Sequence, residues 1–284
     1  MLPDPASISE RASDEGAGQL AELLAEGEVV ALTGAGVSTD SGIPDYRDEQ
    51  GRWKQSPPMQ LREFTGSELA RQRYWARSMV GWQRMAGAAP NAAHRALFEM
   101  EQRGMLRLTI TQNVDGLHSA AGSQRVIDLH GRLDRVICLE CRRLSPRSEL
   151  QSRLAAGNAE FFEHGFVARA DGDVELAADF ARFRLESCVD CGGVLKPDVV
   201  FFGENVPAPR VAAAMAALEG ARALLIAGSS LMVFSGFRFA RAAARLGVPI
   251  VVVNRGQTRA DELARLRLAG NAGEVLERAL RVAG

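Results

Sequence analysis

The sequence predicts an α/β fold, a parallel sheet with helices on both faces and a small module inserted into it. Three observations carry that expectation. Short apolar runs of strand length alternate with stretches of helical period along the 284 residues, the pattern of a parallel sheet covered on both sides. A glycine turn, Gly34-Ala35-Gly36, follows the first apolar run directly, which makes the sheet domain Rossmann-like. All four cysteines fall in two pairs, Cys138-x-x-Cys141 and Cys188-x-x-Cys191, around a polar stretch that breaks the rhythm.

Taken in order, residues 1–15 hold acids and prolines and no apolar run. They read as a mobile arm, not as a secretory signal or a transit peptide. Residues 18–28 carry apolar side chains at helical spacing, and VVALT (29–33) reads as a buried strand. The stretch 42–64 is rich in Pro, Gly and charge and long for a βα connection, so it is expected to be a functional loop that holds a cofactor. Further helices are expected over 67–85, 91–103, 209–219 and 236–246. Buried strands are expected over 106–111, 126–129, 199–202, 223–227 and 249–253. Residues 16–137 and 192–284 then form the Rossmann-like domain and 138–191 the insert. The insert is polar and shows no apolar core of its own, and a metal staple is what such a module needs to hold a shape.

Composition narrows the function. Net charge is −1, so no global positive field draws the chain to nucleic acid or to anionic lipid. No stretch approaches the roughly 18 apolar residues of a membrane span. Paired cysteines without an export signal suit a reducing compartment where thiols hold metal. The expectation is a cytoplasmic protein with neither nucleic acid nor membrane as partner.

The two Cys-x-x-Cys pairs have the spacing of a tetrahedral thiolate zinc site, and four thiolates close the shell, which makes the metal structural. Neither pair follows a thioredoxin-like strand, which speaks against a redox pair. The residues around them mix acids with arginines, which weakens a nucleic-acid-binding ribbon. The glycine turn would let backbone amides approach a pyrophosphate at a helix N-terminus. It departs from G-x-G-x-x-G, with Thr39 at the third glycine, and a bare βα turn is the alternative. Gly228-Ser229-Ser230 and Asn254-Arg255-Gly256 also follow expected strands. Three small, polar turns on one sheet edge favour a dinucleotide.

Together GAGVSTDSGIPDYR (34–47), TQNVDGLH (111–118), LHG (129–131), the cysteine pairs, KPDVVFFGE (196–204), GSSL (228–231) and VNRG (253–256) resemble sirtuins in content and order. The resemblance runs from about Glu28 to the C-terminus. YWARSMVGW and GSSLMVFSGFRF are similar to the class II branch, which includes sirtuin-4-like enzymes. The resemblance implies an NAD-dependent protein-lysine deacylase of the deacetylase type. Such an enzyme cleaves nicotinamide from NAD, passes a lysine's acyl group to ADP-ribose, and holds one structural Zn2+. Its partners would be acylated-lysine proteins.

Carried onto this chain, His130 would be the general base, taking a proton from a ribose hydroxyl. Asp115 and the Ile43 backbone would hold the carboxamide, Asn113 the ribose, and Gln112 would shape that pocket. Ser38, Pro44, Val114 and Ala272 would complete the cofactor's surroundings with the three turns. Arg47, beside Asp45 in the loop, would reach a phosphate. Tyr46 stands where most sirtuins carry phenylalanine and keeps the shape of a ring that shields the ribose. The peptide would add as a strand between Gly203-Glu204-Asn205 and Val233-Phe234-Ser235-Gly236, with its acyl-lysine in a tunnel lined by Val200 and Phe202. Ser235 replaces a proline common in other classes.

His94 and His118 read as structural, and His164 as a surface residue of the insert. Tyr74 and Arg77 share a helix face and read as packing in preference to a grip on an acidic acyl group. The alternatives are a protein mono-ADP-ribosyltransferase using the same NAD, a deacylase preferring longer or acidic acyl groups, and a non-catalytic NAD sensor. A hydride-transferring dehydrogenase is least supported, because the third glycine is missing.

Overall fold

The computed structural model describes residues 10–11, 14–54, 58–163, 166–168 and 174–284. Most of the arm expected at 1–15, and His164, lie outside them. The first half of the chain forms β1 (Glu10–Arg11), α1 (Asp14–Ala25), β2 (Val29–Thr33), α2 (Leu61–Gly66), α3 (Glu68–Ala86), α4 (Ala92–Gln102), β3 (Leu106–Thr111), α5 (Leu117–Ala120) and β4 (Val126–Asp128). Next come β5 (Gly131–Cys138), β6 (Leu144–Pro146), α6 (Arg147–Gly157), β7 (Phe166–Ala168), β8 (Val174–Leu176) and β9 (Leu195–Val199). The remainder is α7 (Ala208–Leu218), β10 (Ala223–Ala227), α8 (Phe234–Leu246), β11 (Ile250–Val253), β12 (Leu266–Ala269) and α9 (Ala272–Val282).

The main sheet has the order β1-β12-β11-β10-β2-β3-β4, and every neighbouring pair is parallel. Side chains alternate across it. Val29, Ala31, Leu225 and Val251 face a core made with α1, α4 and α9. Val30, Leu32, Leu224 and Val252 face a second core made with α7 and α8. Both faces are covered, as the unbroken apolar runs predicted. From β2 the chain winds outward through β3 and β4, and from β10 through β11 and β12 in the opposite direction. The switch point therefore lies between β2 and β10, where a crevice opens at the strands' carboxyl ends.

β12 and α9 are absent from the sequence expectation. The signals for α9 are local: the Asn271 side chain accepts from Gly273 N and Glu274 N as an N-cap, and Val275, Leu276, Ala279 and Leu280 form one buried face. The strand expected over 199–202 is corrected. β9 stops at Val199 and pairs antiparallel with β5 in a separate sheet of order β6-β5-β9. An apolar run signals burial but not which strand it will join. Pro197 fits an edge strand such as β9, where one missing N–H costs nothing.

The insert also has a core, contrary to the sequence expectation. Leu150, Leu154, Phe161, Val174, Leu176 and Phe183 pack with Trp75, Ala76, Met79 and Val80. The insert looked polar because part of its apolar core is supplied by α3, far away in sequence. The Trp75 indole N–H donates to Leu195 O at 3.2 Å.

Candidate active site and metal centre

A cavity of about 730 Å³ occupies the crevice at the switch point and continues to the inner side of the smaller sheet. Its floor is formed by the turns that follow β2 and β10. These touch backbone to backbone: Gly36 N donates to Gly228 O at 2.8 Å and Gly34 N to Ala227 O at 3.3 Å. A Cβ at Gly36 would lie 2.9 Å from the Gly228 Cα, so glycine is what allows this approach.

The turn after β2 differs from the expectation. GAGVSTDSG forms two short 3-10 turns, Ala35–Val37 and Thr39–Ser41, and not a helix. The amides of Gly34, Gly36, Val37 and Ser38 are spent on protein carbonyls. The anion site at a helix N-terminus is thereby corrected, while Gly34, Ala35, Gly36 and Thr39 still line the cavity.

His130 lines the cavity, between β4 and β5. Its Nδ1 lies 2.9 Å from Gln112 O and its Nε2 2.8 Å from Ser235 Oγ. A carbonyl oxygen can only accept, so Nδ1 carries the proton and Nε2 the lone pair. His130 O in turn accepts from Val200 N at 2.8 Å. Gly131 follows at φ +82°, and any Cβ there would run into the Asp198 carbonyl. Burial pushes His130 down to about 4 against the bond to Gln112, and Arg210 and Arg238 push the same way as burial. This differs from an imidazole titrating near neutrality: the ring is neutral at pH 7, an acceptor ready to take a proton.

Around it the end of β3 is tightly wired. Gln112 Nε2 donates to Ser229 Oγ at 2.8 Å, and Asn113 Nδ2 to Gly34 O and Ser38 Oγ at 3.0 Å each. Asp115 accepts from Ser38 Oγ at 2.7 Å and from Leu117 N at 2.9 Å. Gln112, Asn113 and Val114 line the cavity, as do Gly228, Ser229, Ser230, Asn254, Arg255, Gly256 and Ala272. Ser38, Ile43, Pro44 and Asp115 stand behind its wall and not on its surface.

The loop after β2 folds over the opening as a tight hairpin, bridged at Arg47 and Trp53. Arg47 lies over the Trp53 ring at 4.0 Å and donates to Gly51 O at 2.7 Å. Arg47 also lines the cavity. Asp45 pairs with Lys54. Tyr46 meets Trp53 edge-on at 6.2 Å and Trp53 meets Phe202 at 5.6 Å. Trp53 was missed in the sequence; its only signal was an aromatic in a charged loop seven residues after Tyr46.

Val200, Phe202, Gly203 and Glu204 also line the cavity, as do Val233, Phe234 and Ser235. The Lys196–Glu204 ion pair, at 3.0 Å, pins the first of these segments, and Glu204 also accepts from Phe201 N at 2.8 Å. Tyr74 and Arg77 line the same cavity, and so do Arg73, Glu63 and Arg238. Tyr74 also packs on Phe64 and Phe201, so packing describes only part of what this helix face does. His94 and His118 lie away from the cavity as a buried pair, ring centroids 4.9 Å apart.

The four cysteine sulfurs lie within 4.8 Å of one another, with Cys138 and Cys191 at 3.5 Å and Cys141 and Cys188 at 3.7 Å. Sulfurs around a tetrahedral zinc are about 3.8 Å apart, given Zn–S of about 2.3 Å. The donor set therefore fits zinc in size and in chemistry. Each pair ends in the same left-handed turn, Arg142 at φ +63° and Gly192 at φ +72°. For a dinucleotide the fit is equally direct: hydroxyls of Ser229 and Ser230, the Asn254 amide and the Arg255 guanidinium suit sugar and phosphate oxygens.

Comparison with known proteins agrees with this geometry. Residues 34–235 match the model of the Sir2 family. The chain is 54% identical over 246 residues to an NAD-dependent protein deacetylase of Bordetella bronchiseptica, covering 86% of this chain and 90% of that protein. It is 51% identical over 258 residues to NAD-dependent protein deacetylase 1 of Streptomyces coelicolor, covering 90% and 86%. Among solved structures, a Sir2–p53 peptide–NAD+ complex superposes with a TM-score of 0.73 at 30% identity, over 93% of this chain and 96% of the other. A structure from work on the mechanism and regulation of Sir2 enzymes gives 0.75 at 30% identity, over 95% and 98%.

Proposed function

The chain belongs to the Sir2 family, and we infer that it is an NAD-dependent protein deacetylase that moves the acyl group of a modified lysine to ADP-ribose. NAD and one structural zinc ion are its cofactors. When bound, NAD would supply the ribosyl carbon that gives up nicotinamide and the ribose hydroxyl that receives the acyl group. Everything else is the work of this chain's residues.

The observation that carries the reading is His130 itself. A neutral imidazole, with its protonated nitrogen anchored to Gln112 O and its basic nitrogen at the cavity surface, is built to receive a proton from a sugar hydroxyl. Asn113 orients the ribose and Gln112 shapes the pocket beside it. Asp115, set behind the wall by Ser38, holds the carboxamide with the Ile43 backbone once the loop rearranges around the ligand. Ser229, Ser230, Asn254 and Arg255 take the remaining sugar and phosphate oxygens. Tyr46 and Trp53 close the opening and exclude water. The acyl-lysine runs between Val200–Phe202 and Val233–Phe234. Cys138, Cys141, Cys188 and Cys191 hold zinc with no open position, so the metal keeps the smaller sheet in shape and takes no part in bond breaking.

The segments YWARSMVGW and GSSLMVFSGFRF support the class II, sirtuin-4-like branch. The substrates are acylated-lysine proteins; a net charge of −1 supports neither nucleic acid nor membrane as a partner. No described helix is long and apolar enough to cross a membrane, and thiols serving as metal ligands support a cytoplasmic setting.

A second reading concerns the acyl group. Tyr74 and Arg77 share the cavity with His130, and a guanidinium near the acyl group would suit an acidic acyl chain. A panel of acyl-lysine peptides with NAD, followed by mass spectrometry, tests both readings. Deacetylation that survives His130→Ala at more than about one hundredth of the wild-type rate removes the base assignment. Succinyl or glutaryl peptides beating acetyl ones, with the advantage lost in Arg77→Ala, establishes the acidic preference. Protein-linked label from labelled NAD, without acyl-ADP-ribose, points instead to ADP-ribosyl transfer.

A further inference from the structure

Ser235 stands above only as part of an expected peptide edge, and we propose that it is the positioning residue for His130, its hydroxyl holding the ring by Nε2 in the orientation that meets the substrate. The inference rests on His130 being the base. Gln112 O fixes the tautomer with the proton on Nδ1, so the Ser235 hydroxyl is the donor in the 2.8 Å contact and Nε2 the acceptor. Both ring nitrogens are then engaged, and neither rotation nor a flip of the imidazole is free.

The placement of Ser235 is built in. It lies in the first turn of α8, beside Gly236, where a Cβ would come within 2.6 Å of Gln112 Cδ. The absence of a side chain at 236 lets that turn abut Gln112, the residue whose carbonyl holds the other ring nitrogen. One residue of β3's end thus sets the distance on both sides of the imidazole. Ser235 also faces the cavity, so its hydroxyl sits at the edge where a ribose hydroxyl must arrive.

Removing the serine hydroxyl leaves the ring less well aimed. Steady-state kinetics test this with Ser235→Ala, Ser235→Thr and Ser235→Cys. In Ser235→Ala the expected result is a kcat lower by about 5-fold or more, with KM for NAD within about 2-fold. Ser235→Thr restores kcat. Unchanged kcat in Ser235→Ala, or a threonine variant no better than alanine, overturns the proposal. If thermal melting or zinc content shows that the alanine variant misfolds, Ser235→Cys, a weak donor of similar size, must give an intermediate kcat. An active His130→Ala defeats the base reading instead, so the two failures are distinct.

Discussion

Position 131 shows how narrow the tolerance around the base is. Gly131 has φ +82° and no room for a Cβ beside the Asp198 carbonyl, so its neighbour His130 can stand where it does only if 131 is glycine. Gly131→Ala should cost about 2 kcal/mol or more of stability and should lower turnover by moving His130; thermal melting and deacetylation rates check this. His130 and its glycine were legible in the sequence because the motif is contiguous. Ser235 was not, since its role depends on a contact across 105 positions that no local pattern encodes. The commitment of Arg47 to Trp53 escaped notice for a related reason: a cation in a charged loop offers many partners, and only the folded hairpin selects one.

At the scale of elements, the cysteine pairs were legible because each is a single turn, closed within a few residues. What joins them was not. α3 gives Trp75, Met79 and Val80 to the core of the insert, and in place of the strand expected over 199–202 stands β9, which ends at Val199 and joins β5 and β6 in a separate sheet. Hydrophobic pattern reveals that a segment is buried and leaves its partner open. Metal removal belongs to this scale. Treatment with a strong chelator, or Cys141→Ser, should release about one zinc per chain, expose 138–191 to protease, and leave the parallel sheet folded; metal analysis with limited proteolysis checks it.

At the scale of the whole molecule, the alternation of strands and helices gave the parallel sheet, while strand order and the switch point came only from the crossovers. The buried histidines set a global response to pH. Burial lowers His94 to about 4 and His118 to about 3, and His130 to about 4. Each is neutral in the fold and ordinary when unfolded, so between pH 6.5 and about 4 the unfolded chain binds more protons. Stability therefore falls as pH drops through that window, by about 1.4 kcal/mol per pH unit for each histidine fully engaged. Melting curves from pH 7.5 to 4.5 should show the slope, and a flat profile would deny that these rings are buried neutral.

Phe201 packs in the same core as Cys138 and Cys188 and, with its neighbours Val200 and Phe202, also lines the cavity. The tunnel and the metal knuckle thus lean on one short segment. A partly demetallated population should lose its hold on acylated peptide while its hold on NAD, whose contacts lie on the parallel sheet, stays intact. Zinc supply would then act as a throttle on substrate capture in a protein whose chemistry never touches the ion.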